Sequence, residues 1–358
     1  MTAALEELVS CESPSSDAAA TRACAAVFDG LAAGHLDARP ERLEIDGRTH
    51  LRYTWGTPRV LVLGHLDTVW PAGTLARWPF SVDGDVATGP GVFDMKGGVV
   101  QALAALSLLP ALDGVSLLLT ADEEIGSPTS AGLVVDSARD CVATLVCEPS
   151  AAGALKTARK GIAMYAVTVA GRAAHAGLEP EKGINAAVAL SRFVVAASQL
   201  GARDVGTTVT PTLLSAGTTT NTVPAAATVA LDVRATDPEE LPRVHAALLA
   251  AARDVERAVP GCRVELSGGV NRPPLDLRAS EALFARAGAI WSGQGHGELR
   301  GVAVGGGSDG NFTAGAGIPT LDGLGAVGDG AHAEGEHLLL SAMDPRARLL
   351  AALIEELL

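Results

Sequence analysis

Arg59-Val60-Leu61-Val62-Leu63-Gly64-His65-Leu66-Asp67-Thr68 is the stretch on which the fold turns. Residues 59–63 are too apolar for a strand with one wet face, so they read as a central strand covered on both sides. Residues 115–120 and 142–147 repeat that texture, and 97–109, between the first and second of these three strands, reads as a helix. Strands alternating with helices predict an α/β domain with a largely parallel sheet. In such sheets ligands sit beyond the carboxyl ends of the strands. Upstream, residues 3–9 read as a helix that stops near Ser13-Pro14-Ser15-Ser16, and Ser16 or Asp17 caps a second helix over 18–31.

Beyond Lys160 the texture changes. Strands are expected at 162–170, 207–215, 225–234 and 262–266, with helices at 184–200 and 238–259. This β-α-β-β-α-β order is that of a ferredoxin-like unit. From about Asn271 the α/β texture returns, with a helix from Ser280, a Gly-rich stretch at 305–310, a strand near 318–321 and a closing helix from Ser341. The expected layout is a discontinuous main domain, 1–160 and 271–358, interrupted by a smaller domain at 161–270.

The chain has 358 residues, 48% of them hydrophobic and only 3% aromatic, so Leu, Val and Ala must fill a large core. Its formal charge of −14 speaks against nucleic acid or an anionic membrane as the main partner. No apolar run reaches the roughly 18 residues needed to cross a bilayer. The opening MTAALEELVSCESPSSD lacks a basic start followed by an apolar stretch, so no signal peptide is expected. Five scattered cysteines without a CxxC argue against a disulfide framework, and a cytoplasmic enzyme fits.

Chemistry-bearing residues gather where the strands end. His65 and Asp67 follow the first apolar strand, two apart, and both can face the crevice; Asp67 can take the other ring N–H of a metal-bound His65. Asp94 lies in Gly89-Pro90-Gly91-Val92-Phe93-Asp94-Met95-Lys96-Gly97-Gly98, where glycines permit sharp turns and close backbone approach. Asp122-Glu123-Glu124 ends the second strand. Three adjacent acids repel one another, a hard cation relieves that cost, and neighbouring glutamates can divide metal binding from proton transfer. Glu148 follows the third strand, whereas alternation aims Cys147 the other way, into packing. His332 sits in the Gly-rich loop Gly328-Asp329-Gly330-Ala331-His332, with Glu336 and His337 behind it. Each block alone also reads as ordinary structure: a loop histidine, an N-cap aspartate, an acidic surface turn. Together they form a mixed His/carboxylate set that suits zinc or a similar divalent ion.

GHLDTV, GPGVFDMKGG, TADEEIGS, CEPS, GRAAHAG, NTVPA with DVR, and GGGSDG, in that order, resemble the co-catalytic zinc exopeptidase family. It includes glutamate carboxypeptidases of the carboxypeptidase G type, acetylornithine deacetylase, succinyl-diaminopimelate desuccinylase, aminoacylase and related dipeptidases. The resemblance runs from roughly Leu5 to the C-terminus. It implies a zinc-exopeptidase-like mixed, mainly parallel sheet with helices on both faces, and an inserted ferredoxin-like α+β lid that also dimerises the protein. It implies two divalent ions, zinc with cobalt or manganese as substitutes. Asp94 bridges them, His65 and Glu148 complete one site, and Glu124 and His332 the other. Glu123 becomes the general base and Asp67 the partner of His65. In the lid, His175 resembles the transition-state histidine, while Asn221 and Arg234 resemble substrate-holding residues. Arg272 resembles an arginine of the glutamate carboxypeptidases, and Gly305, Gly306 and Gly307 offer N–H groups to a carboxylate. Two departures stand out: Ala174 replaces a common Ser, and 154–160 does not clearly reproduce the basic position of the glutamate carboxypeptidases. The implied activity is hydrolysis of an N-acyl or N-peptidyl amino acid, most like a glutamate carboxypeptidase. Deacylase and dipeptidase remain open, and a metal-binding scaffold without catalysis remains as a remote reading.

Overall fold

Residues 1–36 and 39–358 are described by a computed structural model. The chain forms two compact units, Met1–Arg159 with Leu275–Leu358, and Lys160–Pro274. The second unit runs four residues past 270 because the strand Arg263–Arg272 stays paired with Gly161–Ala170 through its last residue, Arg272 opposite Ile162.

In the first unit, Val60–His65 is buried at every residue and runs parallel to Val115–Thr120 on one side and Ala143–Val146 on the other. The six-stranded sheet continues outward to Thr320–Leu321 beyond Ala143–Val146, and to Arg48–Thr54 and then Glu41–Ile45 beyond Val115–Thr120. Alternation sorts its side chains. Val60, Val62, Leu117 and Leu119 pack with Val99, Leu103, Leu350 and Leu353, from the helices Gly97–Leu108 and Leu340–Leu357. Leu61, Leu63 and Leu118 face the other way, against Val134 and Ala138 of the helix Ala131–Ala138, and Phe312 and Ile318. A sheet covered on both faces needs such uninterrupted apolar strands.

The N-terminal helices are Thr2–Val9 and Ala18–Ala33; Asp17, rather than Ser16, caps the second by accepting the N–H groups of Ala19 and Ala20. The expected elements leave out 41–54, where the structure has an antiparallel hairpin, Glu41–Ile45 with Arg48–Thr54. Its two-residue turn is Asp46-Gly47, with φ of 48° and 80°, which is the local chemistry that a tight hairpin demands. Two further small sheets also lie outside the expectations. Leu155–Arg159 pairs in parallel with Gly301–Val304, and Ser81–Asp83, Val86–Thr88, His337–Leu339 and Gly328–Asp329 form an antiparallel set that carries the loop of His332.

In the second unit, Gly161–Ala170, Thr208–Ala216, Ala226–Ala235 and Arg263–Arg272 form one antiparallel sheet. The first strand lies between the third and fourth, and the second is at an edge, the strand order of a ferredoxin-like unit. The helices Ala186–Ser198, capped by Asn185, and Glu240–Ala258 contribute Phe193, Leu190, Val244 and Leu248 to a core with Val167, Val169, Leu231 and Val233.

Candidate metal centre

Three parallel strands deliver their last residues to one edge of the sheet. His65 ends the first, Glu123 and Glu124 form a short turn after Val115–Thr120, and Glu148 lies two residues past Ala143–Val146. Asp94 comes from an irregular turn at Val92–Lys96, where it is extended (φ −113°, ψ 98°) and its bond to Met95 is cis. That turn is entered through Gly91 at φ 74°, where an added Cβ would stand 2.5 Å from the Thr68 side chain. His332 has φ 63° and lies in the loop between Gly328–Asp329 and His337–Leu339.

These side chains converge. His65 Nε2 lies 3.5 Å from Asp94 Oδ1 and 3.6 Å from Glu148 Oε1. His332 Nε2 lies 3.4 Å from Asp94 Oδ2 and 3.1 Å from Glu124 Oε2. Ligand atoms of His65, Asp94 and Glu124 fall within 4.8 Å of one another, as do those of His65, Glu123 and Glu148. His65 Nε2, Asp94 Oδ1 and Glu124 Oε1 are buried without a hydrogen-bond partner. Unpartnered buried polar atoms are costly, and a cation between an imidazole and two carboxylates relieves that cost. The donor set, nitrogen and carboxylate oxygen without thiolate, fits zinc or a similar divalent ion.

The protonation of these groups carries the same message. Burial pushes the Glu124 carboxyl up to about 7, reinforced by the charge of Asp94 and opposed by His332. Hydrogen bonds to Asp94 and Glu124 push His332 up to about 10. Burial works against a charged His65, yet Asp67, Asp94 and Glu148 raise it well above its usual range. The carboxylates thus favour the charged form of both histidines, as they would favour a cation between them.

A second ring of contacts holds these side chains. His65 Nδ1 is 2.9 Å from the backbone carbonyl of Asp67 and 3.4 Å from its carboxylate, so the carbonyl is the nearer partner of the ring. The fully buried Asp67 carboxylate instead accepts the N–H groups of Glu123 and Glu124, each at 3.2 Å, and the Ser15 hydroxyl at 2.6 Å. One residue thereby fixes the ring of His65 and the turn bearing both glutamates. Asp122, first of the three acids, takes the Thr129 N–H and hydroxyl and the Ser130 hydroxyl, which makes it a structural brace. Cys147 packs into the core, and burial pushes its thiol up.

The expectations miss two basic residues that fall within 154–160. Arg159, 4% exposed, makes a two-pronged contact with Asp322 at 2.7 and 2.8 Å and reaches Glu148 at 3.2 Å. Lys156 Nζ stands 3.9 Å from Glu148. Arg159 also donates to the carbonyls of Gly306 and Gly307, so the triple glycine is anchored through its oxygens. Asp322 directly follows Thr320–Leu321, and the strand-end rule that marks Glu148 marks it too.

His175, Asn221, Arg234 and Arg272 all belong to the second unit. Ala176 N donates to Asn221 O, which sets His175 beside the Asn221 turn. Backbone N–H groups of Gly177 and Leu178 donate to His175 Nδ1. The neutral ring therefore carries its proton on Nε2. Arg234 forks onto Asp232, and the register sets Arg234 and Arg272 on either side of Ile162.

Residues 61–356 match peptidase family M20/M25/M40. The chain belongs to that family. It is 33% identical over 313 residues to carboxypeptidase G2 of Pseudomonas sp. (strain RS-16), covering 84% of this chain and 74% of that one. It is 29% identical over 290 residues to a succinyl-diaminopimelate desuccinylase of Gluconobacter oxydans, covering 73% of each. Its fold is similar to that of a tripeptidase from Staphylococcus aureus (TM-score 0.83, 20% identity, 99% of this chain and 97% of that one). It is thus a hydrolase of a metal-dependent family, with acidic and histidine groups arranged to hold a metal.

Proposed function

We propose that this M20 hydrolase cleaves the amide bond of an N-acyl or N-peptidyl amino acid and releases the free amino acid, in the manner of a glutamate carboxypeptidase. The observation that carries this reading is Asp94, whose two oxygens turn to different histidines, Oδ1 to His65 and Oδ2 to His332. With Glu148 beside the first histidine and Glu124 beside the second, this is a donor set for two divalent ions, which we take to be zinc. Bound there, such a pair lowers the pKa of water and polarises a carbonyl.

The remaining roles belong to the chain's own side chains. Glu123, 7% exposed, takes the proton from the attacking water and passes it to the leaving amine. His175 donates its Nε2–H to the developing oxyanion. Arg234 and Arg272 grip the free carboxylate of the leaving residue, aided by Asn221 and the Gly305–Gly307 backbone, with Arg234 exchanging Asp232 for the substrate. The two arginines and the likeness to carboxypeptidase G2 favour an acidic leaving residue such as glutamate. Unit 2 exposes Leu213 and Leu214 on its edge strand Thr208–Ala216, at 77% and 60%, which supports a homodimer through this unit. A solution mass equal to one 36.2 kDa chain contradicts the dimer. All five cysteines are free thiols, and among the described residues no helix is long and apolar enough to cross a membrane, in keeping with a cytoplasmic setting.

Zinc analysis together with amine release from N-acyl-Glu, N-acyl-Ala and N-acetylornithine tests the reading. N-acyl-Glu is expected to be cleaved fastest, with activity lost on chelation and restored by Zn2+. Preference for N-acetylornithine transfers the assignment to a deacetylase. Two bound ions with no amine released from any of the three leaves a scaffold.

A further inference from the structure

Glu336 is buried to 0% exposure, and among the described residues no ion pair involves it. Four N–H groups meet its carboxylate. Oε1 accepts from Phe93 N at 2.8 Å and Asp94 N at 2.9 Å, while Oε2 accepts from Gly91 N at 3.0 Å and Trp70 Nε1 at 2.7 Å. Three of the four donors are backbone groups of the turn that presents Asp94. The carboxylate itself belongs to the loop that presents His332. That loop is folded on itself by Ala333 N to Gly330 O and Glu336 N to Ala333 O, and a Cβ on Gly330 would stand 3.0 Å from Glu336 Cα.

We propose that Glu336 is a positioning residue of the metal centre, splicing the Asp94 turn to the His332 loop across 242 positions of sequence. The proposal rests on the reading of Asp94 and His332 as ligands. An N–H donated by Asp94 itself fixes the peptide plane from which its side chain departs. That side chain points one oxygen at each histidine, so a small rotation of the plane disturbs both contacts. Glu336 is four residues past His332 in a tightly closed loop, so the same anchor holds the second histidine. A carboxylate is required rather than an amide. Each oxygen takes two N–H groups, and a glutamine has to turn its own NH2 towards one of the pairs, where it has nothing to donate to. Groups that orient metal ligands in this way typically change metal affinity by about 10–100-fold when replaced.

The test uses the full chain, stripped of metal and then titrated with Zn2+ against a chromophoric chelator. Glu336→Gln is expected to weaken zinc binding by about 10–100-fold. In the metal-free protein it is also expected to speed hydrogen exchange at the amides of 91–94, a readout independent of any ion. Trp70→Phe removes the one donor outside the Asp94 turn and should keep zinc affinity within about threefold, since the three backbone bonds remain. A glutamine variant with wild-type affinity and wild-type exchange overturns the proposal. So does a Trp70→Phe variant that loses as much affinity as the glutamine variant, because indole packing would then carry the effect. Should the glutamine variant not fold, Glu336→Asp, read by the same titration, decides, and unchanged affinity refutes the splice. If the wild-type chain itself binds no zinc, the ligand reading fails first; if it binds and Glu336→Gln binds equally, only the splice fails.

Discussion

The two units are both layered from strands and helices, yet they bury different things. Unit 2 closes over an apolar core of Val, Leu, Ala and Phe193, and its buried polar residues are few, among them Thr207 and Arg272. Unit 1 buries Lys96, Asp67, Asp122, Glu148, Arg159, Asp309, Asp322, Glu336 and Arg346 alongside its hydrocarbon. Buried charge stabilises a fold only when every partner is in place, whereas buried hydrocarbon carries no such condition. Unit 2 therefore rests mainly on hydrocarbon packing. Unit 1 spends part of its packing energy on holding charges in the geometry of the site.

The strongest challenge to this contrast is Glu123→Gln, which should lower kcat by about 10²–10⁴-fold while zinc content and the stability of both units stay unchanged. Near-normal turnover would remove Glu123 from its role as base. Next come two matched substitutions. Asp322→Ala removes the two-pronged partner of the buried Arg159 guanidinium, leaving it only Glu148 and the Gly306 and Gly307 carbonyls, and should cost unit 1 about 3–5 kcal/mol. Phe193→Ala should cost unit 2 about 3–5 kcal/mol through a cavity. Hydrogen exchange resolved by segment separates them: each change should loosen its own unit, and loss of zinc on Phe193→Ala would break the contrast. Removal of metal by a chelator should lower the stability of unit 1 by about 3–4 kcal/mol for an ion present at 100 to 1,000 times its Kd, and leave amide protection over 161–272 unaltered. The smallest effect lies in unit 2. Hydrogen bonds from Arg243 and Thr207 hold Glu240 down to about 2, so its folded form binds protons less readily than its unfolded form. Its stabilisation is thus present at pH 7 and is lost as pH falls through about 2. Glu240→Gln should lower the melting midpoint by about 1–3 °C at neutral pH, and by less with each step into acid.

The same contrast explains what could be read from the chain alone. The central strands were legible because both of their faces are apolar, and each of the ligand candidates at a strand end follows from that placement. The hairpin at 41–54 carried its signal in Asp46-Gly47, but its strands alternate weakly beside the fully apolar ones. The small sheets were not legible, since strands of two to five residues take their pairing from distant segments rather than from local pattern. In the site, Asp67 was visible two residues from His65, although its backbone carbonyl proves the nearer partner of the ring. Arg159 with Asp322, and Glu336 with the Asp94 turn, were hidden for one reason: their contacts span 163 and 242 positions, and no local spacing encodes them.

The discontinuity of unit 1 sets an order on the birth of the molecule. All of Lys160–Pro274 leaves the ribosome before the strand Thr320–Leu321 exists to extend the main sheet, and before His332 and Glu336 exist at all. Unit 2 is a contiguous stretch that can fold as soon as it emerges, while the residues of 1–159 wait for their last partners. The centre is thus assembled only after residues as far as Glu336 have been made, and a truncated chain that stops within or just after unit 2 carries most of the candidate ligands but never the complete site.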